Sequence, residues 1–264
     1  MRRTETSSFV ILTLVVGLAG HACPAGEPWV TLTDETTLRL PVPINDPDVT
    51  TEDASEKSYA FADVDLDGDL DLIVARKQPW TSTGRRTNVL LMNEGIAEGH
   101  AMNGVLVDRT AEYASLSTVA GDLGFLTPTN DRDIIFADVD NDGDPDIITA
   151  TALTDNEPST LSHPRVYINL GHHDGVWLGF RYEDSRIPVM DEGTMGGPRF
   201  ASVSAGDVTG DGFVDLFFTD FDAGGAQILD YNNRLLVNDG TGHFIDASLT
   251  AMGTAFNYGS FLGM

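Results

Sequence analysis

From Ser58 onward the chain alternates short apolar runs with polar turns, and no stretch sustains a helical period. Tyr59–Val64 leads into an acidic loop and Leu70–Ala75 leaves it, followed by Asn88–Met92 and Val105–Val107. The same order recurs at Ile134–Val139, Ile147–Thr151, Arg165–Ile168 and Trp177–Tyr182. It recurs again at Ala201–Val208, Val214–Thr219, Arg234–Val237 and Phe244–Ile245. Each third run ends in a turn triplet: Asn93-Glu94-Gly95, Asn169-Leu170-Gly171 or Asn238-Asp239-Gly240. Short runs bounded by Gly, Asn and Asp read as strands. Several are apolar throughout, as sheets stacked face to face require. The pattern predicts an all-β fold of β-propeller blades, four antiparallel strands to a blade and about three blades.

The acidic loops begin at Asp63, Asp138 and Asp207, giving periods of 75 and 69 residues. Residues 255–264 resemble the approach to a fourth first strand. The spacing would place a fourth acidic loop at about 276–283, past Met264, so the sequence predicts a partial or truncated propeller. Ahead of the repeats, 26–57 is rich in Pro, Thr and Asp, with weak strand patterning at Trp29–Leu32 and Thr37–Leu40. Residues 1–25 read as an export signal: Arg2 and Arg3, an apolar run over Phe9–Ala19, then small residues at Gly20 and Ala22. The run is too short to span a bilayer. Cys23, the single cysteine, excludes an intrachain disulfide. It stands where a bacterial lipoprotein carries its acylated cysteine, although Gly20-His21-Ala22 departs from the usual Leu-small-small pattern. Lipid anchoring and an idle thiol both stay open.

The loops carry the candidate chemistry. In the first, Asp63, Asp65, Asp67 and Asp71 occupy positions 1, 3, 5 and 9, with Gly68 at position 6 and Asp69 at 7. Carboxylates at 1, 3 and 5 of a tight turn converge, position 7 offers its backbone carbonyl, and glycine permits the sharp bend. The second loop repeats this with Asp138, Asp140, Asp142, Gly143, Asp144 and Asp146. The third has Asp207, Thr209, Asp211, Phe213 and Asp215, with a neutral hydroxyl at position 3 and therefore the weakest expected affinity. Two carboxylates ~4 Å apart repel by roughly 4 kcal/mol at an effective dielectric of about 20. An ordered loop therefore needs a cation. Ca²⁺ suits such an oxygen-rich set better than Mg²⁺, which keeps its waters. An EF-hand would need Glu at position 12, where Val74, Thr149 and Phe218 stand, and flanking helices. The bland alternative is a solvated Asp-Gly hairpin turn.

Charge narrows the partners. Against 41 Asp and Glu stand 15 Lys and Arg, a net charge of −26. That field disfavours nucleic acid and anionic membrane. The three loops hold 13 of the acids, so three divalent ions would leave the charge at −20. No GxSxG motif or phosphate-cradling glycine loop occurs, and His163, His172 and His173 lack zinc-site spacing. Trp80, Trp177 and Tyr182 have two readings, sugar stacking or core packing.

The DxDxDGxxD loops at Asp63–Asp71 and Asp138–Asp146, and Asp207–Asp215 with threonine at the second ligand, resemble the FG-GAP/VCBS repeat family. The companion pattern, Asn-x-Leu ending in Asn-x-Gly and then Phe-x-Asp, is clearest at Asn233–Asp246, and the resemblance covers 58–264. It implies four-stranded propeller blades as in integrin alpha-subunit heads, usually seven, with Ca²⁺ in the loop between the first two strands. Two functions fit. One is a non-catalytic exported binding or adhesion module for protein or glycan. The alternative is the propeller portion of a secreted carbohydrate-active enzyme, a lyase or hydrolase.

Overall fold

A computed structural model describes residues 34, 39, 56–77, 86–96, 103–151, 163–190, 200–220 and 233–253. The signal-like run, Cys23, Trp29–Leu32 and Trp80 lie outside the described residues. Of 37–40 only Arg39 is described, and its backbone is helical rather than extended. All the elements below belong to one compact unit, Glu35–Met264.

The fold is mostly β, built of antiparallel sheets. The first sheet runs β1 (Glu56–Ala62), β2 (Asp71–Lys77), β3 (Val89–Ile96) and β4 (Asn103–Asp108), each strand pairing with the next. One helical turn, α1 (Thr110–Tyr113), follows. The second sheet contains β6 (Asp131–Ala137), β7 (Asp146–Thr151), β8 (Arg165–Asn169) and β11 (Phe180–Tyr182). The third is β12 (Phe200–Gly206), β13 (Asp215–Asp220), β14 (Arg234–Asn238) and β15 (Phe244–Asp246). Register repeats with the sequence: Leu72 faces Leu91, Ile147 faces Tyr167, and Leu216 faces Leu236.

Two local features depart from a plain four-strand repeat. A short β5 (Leu116–Ser117) adds a fifth, parallel strand on β11. The run expected as one strand, Trp177–Tyr182, is divided. Val176–Trp177 (β10) pairs in a hairpin with His172–His173 (β9), and only Phe180–Tyr182 joins the sheet. Gly179 makes the break, at φ +75°; a Cβ there would lie 2.2 Å from the Tyr113 carbonyl oxygen. Only glycine fits both constraints.

Alternation explains the uniformly apolar strands. Ile147 and Tyr167 point toward the first sheet, where they meet Ile73, Leu90 and Met92. Their chain neighbours Ile148, Val166 and Ile168 point the other way, onto Phe200, Val203, Leu216 and Leu236 of the third sheet. The second sheet is thus covered on both faces. The third alternates instead, with Leu236 buried and Leu235 and Val237 half-buried. Asp133 of β6 ties the first strands together. Its carboxylate accepts Ser58 Oγ of the first sheet at 2.9 Å and the Val203 N–H of the third at 3.1 Å.

Val64 and Val139 read as strand residues but are the second residues of the acidic loops, buried between neighbouring sheets. At the opposite end of β8, buried Arg165 donates from Nη2 to Asp122 at 2.7 Å and lies 4.2 Å over the Tyr182 ring. A buried guanidinium is tolerable only with such partners.

Because Ile148 is fully buried between the second and third sheets, Ile148→Ala should lower unfolding free energy by ~2–5 kcal/mol in urea titration. Exposed Ile245→Ala should change it by less than ~0.5 kcal/mol. Equal effects would show that the shared core is not where the stability lies.

Candidate metal centres

Each acidic loop joins the first strand of a sheet to the second, and the three loops fold alike. The position-1 carboxylate accepts the position-6 glycine N–H at 2.9 Å in all three: Asp63 from Gly68, Asp138 from Gly143, and Asp207 from Gly212. The position-5 carboxylate accepts the position-7 N–H: Asp67 from Asp69 at 2.9 Å, Asp142 from Asp144 at 3.0 Å, Asp211 from Phe213 at 3.0 Å. Such short side-chain turns are what Asp does well. They demand left-handed backbone at position 6, where glycine sits at φ +100°, +97° and +91°. Position 4 is left-handed too, and its occupants differ in cost: Gly210, Asn141 and Leu66, the last at φ 57°.

Position 9 is the closing joint. Asp71, Asp146 and Asp215 are all buried at the start of the second strand. One oxygen of each accepts the position-2 N–H, from Val64 at 3.1 Å, Val139 at 2.9 Å and Val208 at 2.9 Å. The other accepts the N–H of the asparagine on the third strand, Asn93, Asn169 or Asn238, at 2.8, 2.8 and 2.9 Å. A single side chain therefore fixes both the loop and the neighbouring strand.

This joint brings ligand oxygens together. Asp63, Asp65 and Asp71 each place an oxygen within 4.8 Å of the others, and so do Asp138, Asp140 and Asp146. Asp67, Asp69, Asp142 and Asp144 border these triads without belonging to them. Two buried oxygens in the triads, Asp63 Oδ1 and Asp140 Oδ1, have no hydrogen-bond partner among the described residues. Burial without a donor is costly, and a hard cation in each loop would satisfy its oxygen. The residues thus fit a metal ion. Arg186 Nη2 lies 3.5 Å from Asp140 Oδ2, a second source of positive charge at that loop.

The electrostatics agree. Burial pushes the Asp71 carboxyl up to about 6 and Asp146 up to about 8, against the relief of their backbone hydrogen bonds. Burial followed by the neighbouring Asp67 raises Asp65, and burial followed by Asp142 raises Asp140 and Asp144. The loops hold negative charge reluctantly.

The third loop differs. Asp207, Asp211 and Asp215 form no such triad among the described residues. Asp207 Oδ1 is already taken by the Gly210 N–H at 2.6 Å and the Asp211 N–H at 3.2 Å, with Thr209 Oγ1 3.4 Å away. Hydrogen bonds, that from Gly212 foremost, hold the Asp207 carboxyl below its usual range. Asp138 is bonded by its own loop too, at Oδ1 by the Asp142 N–H at 3.1 Å and at Oδ2 by Gly143, so the third loop differs by one extra N–H donor, from Gly210, and by the lack of a carboxylate at position 3.

The remaining candidates disperse. His163 is buried with Nε2 2.9 Å from the Pro188 carbonyl oxygen, while His172 and His173 sit exposed on the β9–β10 hairpin. Trp177 packs against Tyr113 and Phe180, and Tyr182 against Tyr167, so both aromatics are core. The residues that sequence reading left without a site role are Asn93, Asn169 and Asn238. Their recurrence in Asn-x-Gly was visible, but as a turn signal alone.

The sequence matches no protein-family model, and no curated protein is significantly similar to it.

Asp146 keeps its proton to about pH 8 in the folded metal-free chain, whereas the unfolded value is 3.8. Raising pH through that window therefore removes protons from the unfolded state first and destabilises the fold. In chelator, Tm should fall from about pH 4 to about pH 8, and millimolar Ca²⁺ should abolish the fall. A chelated melting temperature that rises across that window would contradict the assignment. Leu66→Asn, relieving left-handed strain, should stabilise the chain by ~0.5–1 kcal/mol in urea titration.

Proposed function

We propose that the chain is an exported calcium-binding β-propeller repeat protein, a non-catalytic binding or adhesion module for an extracellular protein or glycan. The observation that carries the reading is the pair of converging carboxylate triads with buried, unpartnered oxygens at equivalent places in two sheets. The propeller assignment draws on three sheets with one register, stacked through shared cores and joined at β1, β6 and β12. Val64 and Val139 are 1% and 0% exposed beneath the following sheet, whereas the equivalent Val208 is 63% exposed. The third sheet thus presents a face of the kind that a further blade would cover, in keeping with the resemblance to FG-GAP/VCBS repeats. Export is read from Arg2, Arg3 and the apolar run Phe9–Ala19. Among the described residues no helix is long and apolar enough to cross a membrane.

When bound, Ca²⁺ neutralises the clustered carboxylates and links the two strands each loop joins. Asp63, Asp65 and Asp71 would hold one ion; Asp138, Asp140 and Asp146 would hold another. Asp67, Asp142 and the position-7 carbonyls of Asp69 and Asp144 are next in line as ligands. Asp207, Thr209, Asp211, Asp215 and the Phe213 carbonyl would form a third, weaker site.

Calorimetric titration of the metal-free chain should show two tighter ions and a third at least ~10-fold weaker, because ligand charge tunes affinity. Asp140→Asn should remove one of the tighter ions, and Asp211→Asn neither. Three equal sites would refute the ranking, and no uptake at millimolar Ca²⁺ would refute the reading. A glycan and protein array probed with and without Ca²⁺ should then yield a Ca²⁺-dependent ligand.

A further inference from the structure

The asparagine that ends the third strand reaches out of its own sheet. Asn169 Nδ2 donates to the Val64 carbonyl at 2.8 Å, and Asn238 Nδ2 to the Val139 carbonyl at 2.7 Å. These contacts span 105 and 99 residues, each from one sheet to the acidic loop of the sheet before it. The valine that accepts the amide is the same residue whose N–H fixes the ninth-position carboxylate, Asp71 or Asp146.

The asparagines are also locked in orientation. Asn169 Oδ1 accepts the Gly171 N–H at 3.1 Å and Trp177 Nε1 at 2.8 Å; Asn238 Oδ1 accepts the N–H groups of Gly240 at 3.0 Å and Gly242 at 3.1 Å. The amide nitrogens donate a second time, to Pro145 O at 3.3 Å and Val214 O at 3.1 Å in their own loops. Each side chain therefore stands between two acidic loops and touches both. In the first sheet Asn93 donates to its own loop at Leu70 O, 3.3 Å away, and its Oδ1 has no hydrogen-bond partner among the described residues.

Hydrogen bonds follow one another from sheet to sheet. Asn93 N–H and Val64 N–H meet on Asp71, and the Val64 carbonyl takes Asn169. The N–H groups of Asn169 and Val139 meet on Asp146, and the Val139 carbonyl takes Asn238. We propose that Asn169 and Asn238 are positioning residues for the metal loops of the preceding sheets, so that loops 63–71 and 138–146 are set for a cation by the sheet that follows them. The proposal rests on the calcium reading above. Losing the amide leaves a buried carbonyl unpaired and frees the valine that orients a ligand. By linkage, a cation in loop 138–146 strengthens the docking of the third sheet to the same extent that docking strengthens the cation.

Asn238→Asp is the direct test, because it keeps the acceptor oxygen for Gly240 and Gly242 and removes the donor to Val139. Ca²⁺ titration followed at the Gly68, Gly143 and Gly212 amide resonances reads the three loops separately. Loop 138–146 should weaken about 10-fold while loop 63–71 is unchanged, and in chelator the amides of 139–144 should exchange faster. Asn169→Asp should move both effects to loop 63–71. Weakening confined to loop 207–215, or an unchanged loop 138–146 in the folded variant, overturns the proposal. Should the variants fail to fold, the wild-type Asn169 and Asn238 side-chain NH₂ resonances decide it. They should shift as the preceding loop fills, and a response to their own loop alone overturns the idea. A wild-type chain that takes up no Ca²⁺ overturns the metal reading, and exchange in chelator then settles the positioning role by itself.

Discussion

One buried carboxylate per sheet holds the local architecture together. At Asp71, Asp146 and Asp215 both oxygens are spent on backbone N–H groups from two directions, the loop behind and the third strand beside. Burying a charged group is expensive unless its hydrogen bonds are made. Here they are made by groups that would otherwise be orphaned at a strand end. The closure of the acidic loop and its attachment to the third strand both run through that side chain.

The joint is common to all three loops, so what gathers a carboxylate triad in two of them and not in the third lies at positions 1, 3 and 4. In the first two, residues at positions 1 and 3 carry charge into partial burial beside the ninth-position carboxylate. Burial raises Asp65, Asp71, Asp140 and Asp146, and unpaired oxygens remain on Asp63 and Asp140. In the third, threonine at position 3 removes one charge, and with glycine at position 4 Asp207 accepts one more loop N–H than Asp138 does. The valine beneath it is also uncovered, since no described sheet packs there. Loop sequence and sheet stacking act in the same direction.

Much of this was legible beforehand. The apolar runs gave twelve strand cores in the right order, because short β-rich runs between Gly, Asn and Asp leave few alternatives. Boundaries slipped at the loop edges: Val64 and Val139 belong to loops but face the core between sheets, while Val208 and Leu70, also read as strand, are exposed loop residues. The division at Gly179 could not be seen, since it depends on the Tyr113 carbonyl lying against that backbone. Trp177 and Tyr182 were ambiguous for the same reason, as only the packed neighbours show that they are core.

By itself the sequence determined the repeat, the strand type and the acidic loops, because spacing of side chains along a chain is a local property. It also ranked the third loop below the others from charge alone. Only the tertiary structure decided that positions 1, 3 and 9 form the tight group, and that Asp133 bridges three strands. The same holds for Asn169 and Asn238, which serve loops about a hundred residues away. Those are contacts between distant segments, set by how sheets stack, and no local pattern encodes the distance at which two surfaces come to rest.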